Sequence, residues 1–291
     1  MRTMNSIKFA LLPVLLLFLP LSQPEKGGEN ISSEVENRPE VNSFFADCSL
    51  DNRAFSSGER VVYTVYYKLG FIWLSAGTVT FTVEEDDNYY HMEAFGRTSS
   101  TYDRIFRVRD RYTSKVDKYS LLPVHAVRDI EEGSYRKYAE LSFDYNSGFI
   151  KAKHGRNRDK LELDTLEMDR CMHDVLSIIY YSRNMNVDRM NVNDVIDLAV
   201  TLDDKTYNVG MRYEGLTENK RIRRAGRFDL LEFTPQVIAG NVFEEGDEMT
   251  VWVSNDRNRI PVMIESPLTV GSIRVVLDEY DGLRHPLASM R

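Results

Sequence analysis

Alternation of apolar and polar residues with a period of two runs through most of this chain. Between Glu59 and Leu69, Val61, Tyr63, Val65, Tyr67 and Leu69 fall on one face, and Val62, Thr64, Tyr66 and Lys68 on the other. The same period returns after Ser75-Ala76-Gly77, where Gly77, Val79, Phe81 and Val83 oppose Thr78, Thr80, Thr82 and Glu84. One packed and one wetter face predicts antiparallel strands. Further strands are expected at Tyr89 to Arg97, Ile105 to Val116, Leu122 to Ile130, Tyr135 to Tyr145 and Phe149 to Lys153, with turns at Asp86-Asp87-Asn88 and Asn146-Ser147-Gly148. A second series covers Val195 to Leu202, Thr206 to Tyr213, Arg221 to Arg224, Phe228 to Pro235, Glu248 to Ser254, Ile260 to Glu265 and Gly271 to Tyr280. Between the two series, MDRCMHDVLSIIYYSRNMN carries an apolar stripe of Val175, Leu176, Ile179 and Tyr180. It predicts a helix with Asp169 at its start and Arg183 near its end.

The fold class expected is all-β with one main helix, a curved antiparallel sheet or barrel-like body. An internal echo adds two related β-rich halves to that expectation. Tyr112 to Asp117 followed by Leu121-Leu122-Pro123-Val124 resembles Met249 to Ser254 followed by Arg259-Ile260-Pro261-Val262. Each reads as a strand, a polar turn and a strand opening with proline, a position where the missing N–H need not break the ladder.

The N-terminal segment follows a different pattern. Met1 to Lys8 carries Arg2 and Lys8 with no acid, and Phe9 to Leu21 is a short apolar block before Ser22. Residues 1–22 are therefore expected to be a signal peptide, and no cysteine follows the block to take a lipid anchor. Residues 23–43 are polar and acidic, too poor in apolar surface to offset their ordering entropy, and are expected to be a disordered leader. The folded body is expected over 44–285, and no later stretch has the roughly 20 apolar residues of a spanning helix. The formal charge is -8, and losing Arg2 and Lys8 would make it more negative. Such a balance disfavours nucleic acid as a partner.

Candidate chemistry is sparse. Cys48 and Cys171 are the only cysteines, and in an oxidising compartment a disulfide is the expected state, tying the start of the first strand to the helix. Two small buried thiols, or a metal or redox role, are the alternatives. The histidines, His91, His125, His154, His173 and His285, show no metal-binding spacing, and Cys171 with His173 two positions away on a helix would point in different directions. No G-x-S-x-G, Walker or G-x-G-x-x-G motif occurs. The acidic runs Glu84 to Asp87 and Glu244 to Asp247 read as solvated turns. A buried acid pair drawn from separate strands would leave no such trace. Arg107, Arg109 and Arg111 alternate along one strand face, either as partners of cross-strand acids or as a site for an anionic headgroup. Lys220, Arg221, Arg223, Arg224 and Arg227 form a second basic cluster with the same two readings. Phe71-Ile72-Trp73-Leu74 is an apolar run that cannot all face one core, so part of it is a candidate for an exposed edge or cavity lip.

The runs FSSGERVVYTVYYKLGFIWLSAGTVTF, YDRIFRVRDRYTSKVDKYSLLPV, CMHDVLSIIYYSRN and EEGDEMTVWVSNDRNRIPVMIESPLTVGSI together resemble the exported bacterial family catalogued as domain of unknown function 3108. The likeness extends from about Cys48 to Leu283 and implies relatives without implying a reaction. More locally, TVWVSNDRNRIPVMIE followed by GSIRVVLDEY resembles the hairpin of periplasmic lipoprotein carriers, whose open barrels hold acyl chains. That likeness implies a ligand-binding protein of the periplasm or outer envelope of a Gram-negative-type bacterium, without catalysis, cofactor or metal. Its candidate contacts are Tyr67, Phe71, Trp73 and Trp252, with Arg107, Arg109 and Arg111 for the head of a lipid or other amphiphile. A scaffold docking an envelope protein in outer-membrane assembly is the alternative, and an envelope hydrolase with an acidic site the third reading.

Overall fold

The computed structural model describes residues 46–237, 249–268 and 271–291. The signal, the leader and the acidic run Glu244 to Asp247 lie outside the described residues. Alternating strands build a single described sheet. Strands β1 (Arg60–Leu69), β2 (Ile72–Glu85), β3 (Tyr89–Thr98), β4 (Arg109–Asp117), β5 (Pro123–Glu132), β6 (Tyr135–Asp144), β7 (Phe149–Asn157) and β8 (Lys160–Glu167) make the first meander. After β9 (Met172–His173), strands β10 (Val195–Leu202), β11 (Lys205–Ile222), β12 (Gly226–Val237), β13 (Thr250–Ser254), β14 (Pro261–Pro267) and β15 (Ser272–Asp281) make the second. Spatial order is β8-β7-β6-β5-β4-β3-β2-β1-β15-β14-β13-β12-β11-β10-β9, antiparallel except for β9 beside β10. No described pairing joins β8 to β9, so this sheet is not closed.

The first and last strands zip the meanders together, Arg60 opposite Asp281 through Lys68 opposite Ser272. β1 to β6 and β10 to β15 thus stand in the same spatial sequence, side by side. The sequence echo falls on corresponding hairpins, β4–β5 and β13–β14. In each, the residue two before the proline has positive φ, Leu121 at 59° and Arg259 at 51°. Both registers also shift where the proline enters, between Lys115 and Val116 and between Trp252 and Val253. A proline starting a strand at a bulge loses no ladder bond, which is why the same solution serves twice.

The main helix is much shorter than its apolar stripe predicts. α1 covers Ser100–Asp103, and the helix between the meanders, α2, is only Ser177–Ser182. The Asp174 carboxylate accepts from the backbone N–H of Leu176 (2.8 Å) and Ser177 (3.1 Å), so Asp174, and not Asp169, sets the start. Residues upstream of this cap are extended, and Met172 and His173 pair with β10. Cys171 therefore lies before β9 and not in the helix. Its bond to Cys48, with Cα atoms 5.5 Å apart, ties the 3-10 turn Ala46–Cys48 to the edge of the second meander.

Other boundaries shift for equally local reasons. β2 begins at Ile72, so Phe71 belongs to the tip of the β1–β2 hairpin and Ile72, Trp73 and Leu74 to a strand. β4 begins only at Arg109, because the Asp103 carboxylate at the end of α1 bonds Thr98 and Arg109 and holds the preceding segment as a turn. Arg107 consequently precedes the strand. β8 was not expected; its exposed, charged pattern has no buried face to detect.

A candidate ligand pocket on the inner face

One face of the second meander, with β1, β2 and α2, encloses an apolar pocket. Val61 and Tyr63 of β1, Leu231 and Phe233 of β12, Val251 and Val253 of β13, Ile264 of β14 and Val275 of β15 form its sheet wall. Ile178 and Ile179 of α2 cover it, followed by Met185 and Val187. Its free volume is about 110 Å³. That volume is below the roughly 300–1,000 Å³ of small-molecule pockets, so an occupant would lie only partly inside it.

The deep end of the pocket is polar but fully paired. Arg183, just after α2, donates to both oxygens of Glu59 at 2.6 and 2.8 Å, with both side chains buried. It also donates to the carbonyls of Asn258 (2.9 Å) and Ala54 (3.2 Å). Phe55 and Tyr180 pack on its guanidinium. Every carboxylate oxygen therefore has a partner, as a buried ion pair requires. Tyr63 donates to the Pro261 carbonyl at 3.0 Å, and burial pushes its phenol well above the usual range, so it stays neutral. At the rim, Arg259 pairs with Asp188 while its Nη1 is buried with no partner.

The structure separates the site residues expected from sequence. Phe71 and Trp73 line a second cleft, on the opposite face of the sheet, beside Arg223, Arg224 and Arg274. Trp252 also points away from the inner pocket. It is buried, its Nε1 donates to Glu232 at 2.9 Å, and Lys220 lies over its ring. Tyr67 packs half-buried against the core and lines neither cavity. Arg109 bonds Asp103, and Arg111 pairs with Glu93 and lies over Phe95. These two arginines follow the acid-partner reading, and none of the Arg107, Arg109 and Arg111 set lines either cavity. The inner-pocket residues of α2, β10 and β12 went unrecognised because, strand by strand, they look like ordinary core.

An acid pair of the kind that leaves no sequence trace does exist. Asp110 and Glu132, from β4 and β5, are hydrogen-bonded to each other. Burial, and then the charge of Asp110, raise the Glu132 carboxyl, while burial raises Asp110. The pair lines neither cavity. His173 is also wholly buried, both ring nitrogens lack partners, and burial lowers it to about 3.

The family model described as "Protein of unknown function (DUF3108)" matches residues 62–278. The chain belongs to this family. Among solved structures, a β-barrel-like protein of domain of unknown function DUF1849 from Brucella abortus matches with a TM-score of 0.53 and 10% identity, over 79% of this chain and 98% of its own. A putative exported protein with a YmcC-like fold from Bacteroides fragilis matches at 0.32 and 8% identity, over 80% and 100%. No curated protein matches. The first of these likenesses extends the fold of this DUF3108 member to a barrel-like neighbour and carries no activity with it.

Proposed function

We propose that this protein is an exported binding protein of the bacterial envelope, one that holds the apolar part of a hydrophobic or amphiphilic ligand in its inner pocket. The observation carrying the reading is the pocket's composition: aliphatic and aromatic side chains from eight strands and a helix, with Glu59 and Arg183 paired at one end and Arg259 the other charged residue of the lining. A wall of that kind gains from desolvating a ligand, at about 0.8 kcal/mol per buried methylene. Half of an acyl chain would therefore outweigh one exposed ion pair. The disulfide supports an oxidising compartment, in keeping with the expected signal peptide and with the periplasm or outer envelope.

Native mass spectrometry of protein isolated from its own envelope without detergent tests the reading. A bound species of lipid mass, lost on delipidation, is the expected result. Protein that emerges ligand-free and fails to take up any amphiphile afterwards would contradict it.

A further inference from the structure

Two hairpin tips meet on the face of the sheet opposite the inner pocket. On β15, Val275 faces the inner pocket while its neighbours Arg274 and Val276 face the other way. The β1–β2 tip presents Phe71, which is almost fully exposed, with Trp73 behind it. The β11–β12 tip presents Arg223 and Arg224, the latter in the left-handed region at φ 77°. Between them lies a cleft of about 230 Å³.

Three arginines line this cleft, two of them against aromatic rings. Arg224 lies 5.0 Å from the Tyr66 ring centroid and donates to its hydroxyl at 2.9 Å. Arg274 lies 4.3 Å from the Trp73 centroid, pairs with Glu265 through Nη2, and keeps a buried Nε with no partner. No described carboxylate lies within 4.0 Å of Arg223 or Arg224. Arg109 and Arg111, by contrast, each have one. Stacking on aromatic rings holds two guanidinium planes in place and leaves N–H edges free for oxyanions. With Glu265 neutralising one of the three, the cleft keeps a net positive charge that suits an anionic group. Phe71, which also lines the cleft, is 92% exposed and finds no apolar cover in the fold.

We propose that this cleft binds the phosphate of an anionic phospholipid, with Arg223, Arg224 and Arg274 on the phosphate oxygens and Phe71 against the lipid's apolar part. The site goes beyond the inner pocket and does not depend on it. The test uses the whole protein with four probes: phosphatidylglycerol vesicles, phosphatidylcholine vesicles, a soluble short-chain phosphatidylglycerol, and inorganic phosphate. Phosphatidylglycerol in either form should bind, weakening with salt, and phosphatidylcholine should not. The R223A/R224A variant should lose about a hundredfold in affinity and Phe71→Ser about tenfold. All three positions are exposed, so unchanged melting curves separate these losses from misfolding. Equal binding to both vesicle types, or unchanged binding by R223A/R224A, would overturn the proposal. Inorganic phosphate binding as tightly as the lipid, with Phe71→Ser silent, would mark a free-phosphate site and overturn the lipid assignment. Ile264→Glu, in the inner pocket, should leave this binding intact; its loss there would place the lipid in the pocket and overturn the second site.

Discussion

Glu59 and Arg183 satisfy each other in the interior, so removing one partner leaves the other as an uncompensated buried charge. Glu59→Gln should destabilise the protein by about 3–5 kcal/mol, measured by urea denaturation, whereas breaking the exposed Arg60 to Glu279 pair should cost less than about 1 kcal/mol. Two further buried groups give stability a pH dependence of known sign. His173 is held below its ordinary value, near 3, so the unfolded chain binds its proton first. Stability is complete above the unfolded histidine value and falls as pH drops below it. Asp110 and Glu132 are raised, so their contribution is present at acid pH and is lost as pH climbs past the ordinary carboxylate range. Melting temperature against pH should flatten on the acid side in His173→Leu and on the alkaline side in Glu132→Gln. An unchanged profile in either variant would contradict the corresponding assignment.

At the level of elements, the long-range tie is the Cys48 to Cys171 bond, which closes a loop of 123 residues. Replacing both cysteines by alanine should lower stability by about 2–5 kcal/mol by chemical denaturation, because the unfolded chain regains the entropy of that loop. Gly77 is a second constraint: a Cβ there would stand 2.3 Å from the Arg97 carbonyl, so Gly77→Ala should break the β2–β3 ladder and depress expression or melting temperature. Strands with one packed face, such as β1 to β5, were readable from alternation alone, as was the repeated proline-led hairpin. The short helix was not, because a stripe of Val175, Leu176, Ile179 and Tyr180 suits a helical face and a packed irregular segment alike. Only the bonds of Asp174 show where the helix begins. β8 escaped because an exposed charged edge has no buried period, a composition that also discourages edge pairing with another chain. Of the candidate site, Phe71 and Trp73 were recognisable as apolar residues out of place, but the arginines beside them come from the β11–β12 hairpin and from β15, more than a hundred residues away.

On the scale of the molecule, an eight-stranded and a six-stranded meander lie side by side in one open described sheet. Between the first meander and the β10–β11 turn, a gap beside Tyr112, Arg128 and Asp203 has only about 20 Å³. The second meander holds the apolar pocket under α2, and the binding proposal rests on that pocket's lining. The most direct measurement is a fluorescence titration of delipidated protein with a conjugated polyene fatty acid, comparing wild type with Ile264→Glu, which puts a charge on the half-buried pocket wall. The account predicts saturable binding to wild type and at least about tenfold weaker binding to a variant that remains folded by circular dichroism. Equal titration curves for the two proteins would contradict it.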